Sequence, residues 1–401
     1  MIFPTRKKMS KGKSVKAVAQ FGCSQDTAGK IVMQQASNVQ FTKGIGYAGS
    51  FVRKEEGVLQ YLCAVNGDQV VLRSGGLNMG LRTFPQLANC SSVAWTFDAN
   101  NNTLLVSGNN ATYRIFSGNI FKICDTEFDS IAVCQGRVFA LKGKRIYLSS
   151  ATETTFEDDL WIDLPTACVA IVNNGELYAV GNDVYKLQID GEESNIKISK
   201  ICSNVGNVQG KTVCAYGNKI MFVANGSVVA LQHGAIKVVT QIEATAICAT
   251  MHNGLYYVCA QIDGQTFVTS VDTHTGKVIS LHHVSAKNIY SNGNNLWVSD
   301  GSSGFELSGT TQDCHWISKS INFDNQATVK HLHRLMIHTA TDVDVHINSD
   351  AKRIYHIKGK DVLQSLLVVG HGKDITLELH SNVGMSVKEL GLVARASEVC
   401  L

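Results

Sequence analysis

The sequence predicts an all-β protein: a β-propeller of about seven blades, followed by a small C-terminal antiparallel β-sandwich. A short apolar strand recurs at a mean spacing of about 40 residues, which is the blade period of a propeller. Asn-Gly and Asp-Gly pairs separate many strands, and such pairs favour tight hairpins. Near Asn325 the pattern changes to strict alternation, which is typical of strands with one buried face.

Each repeat is anchored by an apolar strand, and a second strand follows it within a few residues. The anchors are Leu59, Leu104, Val138, Leu177, Ile220, Leu255 and Leu296. Because a blade cannot bury both faces of its own sheet, stacking blades into a closed ring is the arrangement that covers them. We therefore expect a ring within residues 41–325, with each anchor on an inner strand. An array of sandwiches or an open β-solenoid is the alternative.

The C-terminal region, residues 326–401, predicts a separate sandwich. Val343, Val345 and Ile347 alternate with polar residues, and a second segment from Ile375 repeats the pattern. Each of these strands should therefore bury one face and expose the other. Residues 363–369 differ, because they are more fully apolar.

Residues 1–40 are expected to form a basic arm and a lead-in strand. The first sixteen residues contain six basic side chains and no acidic one. This segment is either a solvated terminus or an arm that docks on a neighbouring subunit or on nucleic acid. Under the second interpretation, the candidate assembly contacts are Arg6, Lys7, Lys8, Lys11 and Lys13.

Charge, hydropathy and cysteine spacing limit the classes of partner and the compartment that we expect for this chain. The net charge is only +3, so the chain as a whole does not require an acidic partner. No segment approaches the roughly 20 apolar residues of a membrane helix, and no secretory signal is present, so we expect synthesis in a cytoplasm and no membrane span. The twelve cysteines are spread singly, without a Cys-x-x-Cys pair, and we expect all of them to be reduced.

Several residue types could carry chemistry, but none forms a recognisable catalytic motif. Seven of the thirteen histidines lie between His331 and His380, on different predicted strands, and exposed polar positions account for them better than a metal site does. Trp161, Trp297 and Trp316 could bind sugar, but their positions in strands favour core packing. Nucleophile-elbow, Walker and zinc-protease motifs are missing from the sequence, so we expect no enzyme activity, no cofactor and no metal.

Two parts of the chain resemble propeller-type virion structural proteins of tailed bacteriophages. In the N-terminal part the resemblance runs through residues 21–24, 29–33 and 36–39. At the C-terminus the matching segments are residues 316–319, 330–335, 344–350, 370–379 and 387–392. Phage tail and neck proteins often end in such a domain, with a Gly-x-Gly turn into an alternating strand and a closing apolar strand. Tail nozzle proteins of short-tailed phages are usually longer, so this chain resembles a minimal version.

The resemblance implies a non-enzymatic structural role in a phage tail or head-to-tail neck. The chain would be made in the host cytoplasm, would assemble as a symmetric ring and would contact other virion proteins. Its basic arm could also contact packaged DNA. The main alternative is a receptor- or glycan-binding propeller at the tail tip, and a third class is an intracellular scaffold.

Overall fold

The computed structural model describes residues 14–18, 33–41, 44–149, 156–189, 196–242, 244–262, 264–309, 313–321 and 329–397. These residues form two compact units. One unit comprises Phe51–Gly276 and Val284–Leu307, and the other contains the described residues of the two termini together with Lys277–His283. Apart from two single-turn 3-10 helices, Pro85–Leu87 and Gly210–Thr212, the regular structure in the described residues is all strand. The all-β prediction is therefore confirmed.

Four short strands precede the propeller along the chain. They are β1 Ser14–Val18, β2 Met33–Ser37, β3 Val39–Gln40 and β4 Ile45–Tyr47. All four belong to the terminal unit rather than to the propeller. β1 runs antiparallel to a C-terminal strand, with Ser14 opposite Arg395 and Val18 opposite Gly391.

The propeller unit contains seven antiparallel sheets, as the repeat predicts. The strands, in chain order, are β5 Ser50–Glu56; β6 Val58–Val65, β7 Asp68–Arg73, β8 Gly76–Met79, β9 Arg82–Phe84; β10 Ala94–Asp98, β11 Thr103–Gly108, β12 Ala111–Phe116, β13 Asn119–Cys124; β14 Ser130–Cys134, β15 Arg137–Lys142, β16 Arg145–Ser149, β17 Phe156–Asp163; β18 Cys168–Asn173, β19 Leu177–Gly181, β20 Val184–Ile189, β21 Ile196–Cys202; β22 Cys214–Tyr216, β23 Lys219–Ala224, β24 Ser227–Gln232, β25 Ala235–Gln241; β26 Thr245–His252, β27 Leu255–Ile262, β28 Gln265–Asp272; and β30 Asn288–Ser291, β31 Leu296–Ser299, β32 Ser303–Ser308. β29, Val278–His283, belongs to the terminal unit, where it pairs with β3.

The N-terminal side of the propeller closes the ring. β5 is the outermost strand of the seventh sheet, which runs in the order β30-β31-β32-β5. The chain then passes directly into β6 of the first blade, and the Ser299 hydroxyl donates a 2.7 Å hydrogen bond to the Val58 carbonyl. The last blade therefore combines strands from both ends of the propeller sequence, which ties the ring shut.

Apolar cores lie between neighbouring blades. Leu72 of the first blade and Val106 of the second share one cluster, and Leu141 of the third and Leu187 of the fourth share another. Leu177 is completely buried and Ile220 nearly so, as expected of anchors that lie in apolar strands. Each sheet thus covers its faces with the sheets beside it, and this is the reason for the 40-residue repeat.

The expectation that every anchor lies on an inner strand is wrong. Only Leu59 is on the first strand of its blade; the other six anchors are on the second strand. The first strands, such as β14 and β18, pack against each other across neighbouring blades and are therefore the innermost. The second strands are apolar because sheets cover both of their faces, whereas the residues of a first strand such as β10 are mostly only partly buried.

Three of the five Asn-Gly pairs, at residues 66–67, 225–226 and 253–254, form the predicted type of hairpin turn, whereas Asn174 and Asn292 do not have positive φ. Asn66 and Gly67 have φ of 51° and 89°, and Asn225 and Gly226 have φ of 48° and 71°. Two successive positive φ values define the type I′ turn, whose twist matches that of the flanking strands. Asparagine and glycine are the residues that adopt this conformation at least cost.

The terminal unit is built from two sheets that form the predicted sandwich. Its remaining strands are β33 Cys314–Ser318, β34 Val329–Thr339, β35 Val343–Asn348, β36 Lys352–Ile357, β37 Val362–Leu367, β38 His371–Gly372, β39 Thr376–Ser381 and β40 Ser386–Ser397. One sheet has the order β2-β33-β39-β35-β36. The other contains β29-β3-β4-β40-β34-β37, with β1 on β40 and β38 on β34.

The alternation predicted for the sandwich strands is confirmed. Val343, Val345 and Ile347 are buried, and so are Leu377 and Leu379 on the neighbouring strand. β33 belongs to the same sheet although it lies before residue 326, because Trp316 is buried in register with Leu379. The terminal unit thus draws its strands from both ends of the chain.

Candidate assembly surface

The basic residues proposed as assembly contacts lie outside the described residues. Arg6, Lys7, Lys8, Lys11 and Lys13 all precede Ser14, where the first described strand begins. The surfaces that could join this chain to others must therefore be sought in the two described units.

The most exposed apolar surface of the terminal unit lies along β37 and the strand before it. Among the described strands, β37 has a neighbour on one side only, because it ends its sheet next to β34. Five aliphatic side chains in this region are about half exposed or more. They are Ile354 (51%), Val362 (53%), Leu363 (48%), Leu367 (71%) and Val369 (69%). We call residues 362–369 the apolar edge.

The sequence of the apolar edge favours a β-strand and leaves that strand open to pairing with another chain. Residues 362–370 contain no charged residue and no proline, and Val and Leu fill six of the nine positions. Folded proteins usually protect an edge strand with lysine, proline or a bulge, because an open edge can pair with another chain. An uncharged edge rich in aliphatic side chains therefore needs a partner or another cover.

The backbone of β37 presents alternate residues to solvent. The amide of Val368 donates to the His333 carbonyl at 3.2 Å, and the pairing with β34 continues in register from there to Val362. Since hydrogen bonding alternates along an antiparallel pair, Val362, Gln364 and Leu366 bond to β34 like Val368. Leu363, Ser365 and Leu367 direct their N–H and C=O groups outward. The edge is therefore open in its backbone as well as in its side chains.

Charges surround the apolar edge but are paired with one another. Asp361 bonds to both Lys388 and His338, the latter at 3.2 Å, and the Lys388 ammonium lowers the pKa of that carboxyl. Lys358 lies 2.7 Å from an Asp342 carboxylate oxygen. Arg334 is the charged side chain closest to the middle of the strand, and its guanidinium donates to the Ser365 hydroxyl at 3.4 Å.

The adjoining edge of the other sheet continues the apolar surface. β36 ends its sheet among the described strands, and the phenol oxygen of Tyr355 accepts a 3.1 Å hydrogen bond from the Val369 amide. At the start of β36, Arg353 and Asp350 form a two-point ion pair at 2.7 and 3.0 Å, which holds the pKa of Asp350 well below its usual range. The edges of both sheets are thus fixed side by side within the terminal unit.

The histidines form a row on the sandwich rather than a metal centre. His315, His380 and His346 stack across three neighbouring strands, with ring centroids 5.8 and 6.0 Å apart. Asp313 pairs with His380 and Glu378 with His346, each at 3.2 Å. Within the described residues, no group of three or more His, Cys, Asp or Glu side chains is placed to hold a metal ion.

The prediction of core packing holds for two of the three tryptophans. Trp297 and Trp316 are buried, but Trp161 is 40% exposed, so the prediction for Trp161 is wrong. Trp161 lies on β17, the outermost strand of its blade, where the neighbouring blade does not cover the side chain. The Arg145 guanidinium stacks over the Trp161 ring at 3.7 Å and pairs with Asp163 at 2.9 Å. The position of Trp161 in a predicted strand could not reveal its exposure, because exposure depends on the order of the strands within the blade.

The propeller also has a cavity of mixed polar and apolar lining between its first two blades. Its volume is about 590 Å³, and hairpin tips from both blades line it. Asn66, Asp68, Arg82 and Asn102 supply its polar groups. Leu81, at the tip of the β8-β9 hairpin, is fully exposed at the cavity wall.

The ten cysteines in the described part of the chain are free thiols. Burial raises the pKa of Cys63, Cys168 and Cys314 to about 12, so these thiols stay protonated at neutral pH. Cys23 and Cys400 lie outside the described residues, and the reduced state of all twelve remains a prediction. No helix in the described part combines the length and hydropathy needed to cross a membrane.

Comparisons with known proteins concern the fold only. No protein-family model matches the chain, and no curated protein matches its sequence. The extracellular domain of a hybrid two-component system from B. thetaiotaomicron is similar over 66% of this chain, with 16% identity and a TM-score of 0.48. This chain spans 41% of that domain's length. The WD40 repeats of RRP9 match 65% of the chain and 99% of their own length, at 7% identity and a TM-score of 0.49.

A third similar structure is a quinoprotein alcohol dehydrogenase-like protein from Bacteroides thetaiotaomicron. It matches 62% of this chain and 65% of its own length, with 14% identity and a TM-score of 0.40. Similarity at this level does not carry a function from one protein to another.

Proposed function

We propose that this chain is a non-enzymatic structural component of a tailed-phage virion, in the tail or the head-to-tail neck, and that it assembles as a symmetric ring. The observation that carries the proposal is the apolar edge. It is an open strand edge with large exposed aliphatic side chains, among them Leu367 and Val369. An exposed patch of this kind is typical of a surface that contacts another protein.

The propeller unit covers its own edges, whereas the terminal unit carries the exposed edge, and this difference supports an assembly role. The propeller closes its own ring through β5, so a second domain is not needed to cover its edges. The terminal unit places the apolar edge on a sandwich, where it can join copies or contact other virion proteins. The basic arm that contains Arg6, Lys7 and Lys8 would add contacts to neighbouring subunits or to packaged DNA.

Quantitative mass spectrometry of gradient-purified phage particles tests the virion role. We expect this chain in a fixed copy number consistent with a ring, together with the portal and tail proteins whose genes should flank its own. Electron microscopy of the purified chain, or of its complex with the flanking gene products, should show a closed ring. Absence of the chain from intact particles would overturn the proposal.

A receptor- or glycan-binding role at the tail tip is the second candidate, and two observations favour it. Trp161 is a partly exposed aromatic side chain with Arg145 on one ring face, and the cavity beside Asp68 and Arg82 carries polar groups that suit a sugar. Glycan-array binding by the purified chain would support this role if Trp161→Ala or Arg82→Ala abolished it. Binding that survives both substitutions would exclude these two sites.

A further inference from the structure

We propose that β37 pairs antiparallel with β37 of a second copy, around a two-fold axis that passes beside Ser365. The proposal builds on the assembly role in taking a second copy as the partner, but it depends only on the apolar edge. It adds a specific contact, a register and a symmetry, none of which the virion role requires. A two-fold contact gives a dimer, and a ring additionally needs a heterologous contact elsewhere on the chain.

The backbone of the apolar edge is suited to this pairing. Leu363, Ser365 and Leu367 direct their N–H and C=O groups away from β34, as the Val368 hydrogen bond and the register of the pair require. With the axis beside Ser365, the two Ser365 residues exchange a pair of backbone hydrogen bonds. Leu363 and Leu367 then exchange the same pairs with Leu367 and Leu363 of the second copy. The two sheets thereby become one continuous sheet.

The side chains fit the same register. Leu363 and Leu367 lie on the outer face of their sheet, because they are opposite His338 and Arg334 rather than the buried residues of β34. In the dimer each of these leucines is opposite a leucine, and cross-strand aliphatic pairs stabilise antiparallel sheets. A shift that centres the axis on Gln364 would instead place Leu367 opposite the charged Asp361. The Ser365 register instead pairs each of these leucines with a leucine and places Asp361 opposite Val369, beyond the end of β37.

Charge favours a second copy over the basic arm as the occupant. Residues 362–370 have no charge, so the strand meets itself without repulsion. Lys358 and Lys388 are paired with Asp342 and Asp361, but the Arg334 guanidinium contacts the middle of the strand and would repel an arm that contains Arg6 to Lys13. Among the described residues near the axis, Arg334 is the one that opposes the pairing by charge repulsion, because each copy brings this guanidinium close to its own Ser365.

Disulfide trapping tests the axis directly. In a hydrogen-bonded antiparallel pair the facing Cα atoms are about 5.5 Å apart, which is within disulfide range. Ser365→Cys should therefore form an intermolecular disulfide when the purified full chain is treated with diamide, which takes up the two electrons and two protons.

The matched control for the trapping experiment is Asn382→Cys. Asn382, like Ser365, is exposed on the terminal unit, but it lies in the bend after β39 and is not part of the apolar edge. The unsubstituted chain measures the background from its own thiols. We expect at least tenfold faster dimer formation with Ser365→Cys than with Asn382→Cys, and equal rates would overturn the proposal.

Sedimentation equilibrium gives an independent measurement. A contact limited to one strand edge and its rim is at the small end of specific interfaces, so we expect a weak dimer at micromolar concentrations. Leu367→Lys should weaken the dimer at least tenfold, while Val383→Lys, a similarly exposed position off the edge, should leave it unchanged. Arg334→Gln should tighten it and should remove its strengthening by added salt, because the two guanidinium groups repel each other. Unchanged far-ultraviolet circular dichroism would show that each variant is folded.

The outcomes separate this proposal from the virion role. Cross-linking of the Ser365→Cys variant, in a chain that is absent from phage particles, would support the two-fold contact and overturn the virion role. If the chain forms a ring in phage particles but the Ser365→Cys variant does not cross-link, the virion role would be supported and the two-fold contact would be overturned. A dimer that resists Leu367→Lys would also overturn the proposed contact, because another surface would then hold it together.

Discussion

At the scale of single residues, burial decides which side chains the fold depends on. Leu177 and Leu81 are both leucines in the propeller, but one is completely buried between blades and the other is fully exposed at a hairpin tip. Sequence identifies the first by its place in an apolar strand. It gives no comparable signal for the second, because Leu81 lies in a turn where neighbouring residues are polar or glycine.

Truncation of these two leucines should have very different effects. Leu177→Ala should lower the free energy of unfolding by about 2–5 kcal/mol, because it leaves a cavity in a packed interior. Leu81→Ala should change it by no more than about 0.5 kcal/mol. Urea titration followed by tryptophan fluorescence measures both. Leu177→Asp should prevent soluble expression, and its soluble accumulation would contradict the placement of Leu177 in the core.

His282 makes the terminal unit sensitive to acid. It is buried, whereas the adjacent His283 is exposed, as the alternation of a strand predicts. Burial lowers the pKa of His282 from 6.5 to about 4. The unfolded chain therefore binds a proton that the folded chain does not, so this residue's contribution to stability is lost as pH falls from about 6.5 to 4.

This linkage predicts a drop in the free energy of unfolding of about 2–3 kcal/mol from His282 alone between pH 7 and pH 4.5. His282→Gln should lower stability at pH 7 but should reduce the pH dependence by that amount. His274→Gln is the control, because His274 is exposed. Urea titrations at the two pH values measure the difference, and an identical slope in wild type and His282→Gln would contradict the assignment.

At the scale of elements, two strands in comparable outer positions have unequal importance. β5 and β9 are each the last strand of a four-stranded sheet. β9 is continuous with its own blade, whereas β5 comes from the other end of the propeller sequence and joins the seventh blade to the first. Loss of β9 should loosen one blade, but loss of β5 should open the ring.

Proline substitution tests this difference. Val52→Pro and Arg53→Pro lie on β5, and one of them must remove an amide that faces β32, because alternate residues face the ladder. Arg82→Pro and Thr83→Pro are the matched pair on β9. The worse variant on β5 should lower the melting temperature more than the worse variant on β9, by roughly 5 °C or more. Hydrogen exchange in residues 303–308 should also rise only in the β5 variants.

At the scale of the whole molecule, the basic arm should contribute to assembly and not to folding. Residues 1–13 end just before β1, whose strand pairing with β40 should survive their deletion. The truncated chain should therefore keep its melting temperature but join particles or rings poorly. Light scattering and electron microscopy measure assembly, and a truncated chain that assembles at the full rate would show that the arm is not a contact.

Charge neutralisation should produce a milder form of the same defect. Replacing Arg6, Lys7 and Lys8 by glutamine should slow assembly at low salt, and the difference from wild type should shrink near physiological salt, where the screening length is about 8 Å. Lys142→Gln with Lys237→Gln is the control, because both lysines are exposed on the propeller. An equal defect in the control would indicate a general charge effect rather than an arm.

The sequence by itself determined the features that repeat locally. The spacing of Leu104, Val138 and Leu177 predicted the blades, and the Asn-Gly pairs predicted the turns, because period and turn chemistry are written in neighbouring residues. The alternation around Val345 predicted the buried face of the sandwich for the same reason. These predictions needed no knowledge of which strands would meet.

Only the tertiary structure decided which strands meet and which remain uncovered. The run from Leu363 to Val369 is as apolar as a core strand, yet it lies on an edge because no described strand follows β37 in its sheet. Trp161 is exposed because its strand is the outermost of the blade, and β5 closes the ring although it lies far from β32 in sequence. Exposure depends on neighbours in space, and a local pattern does not record them.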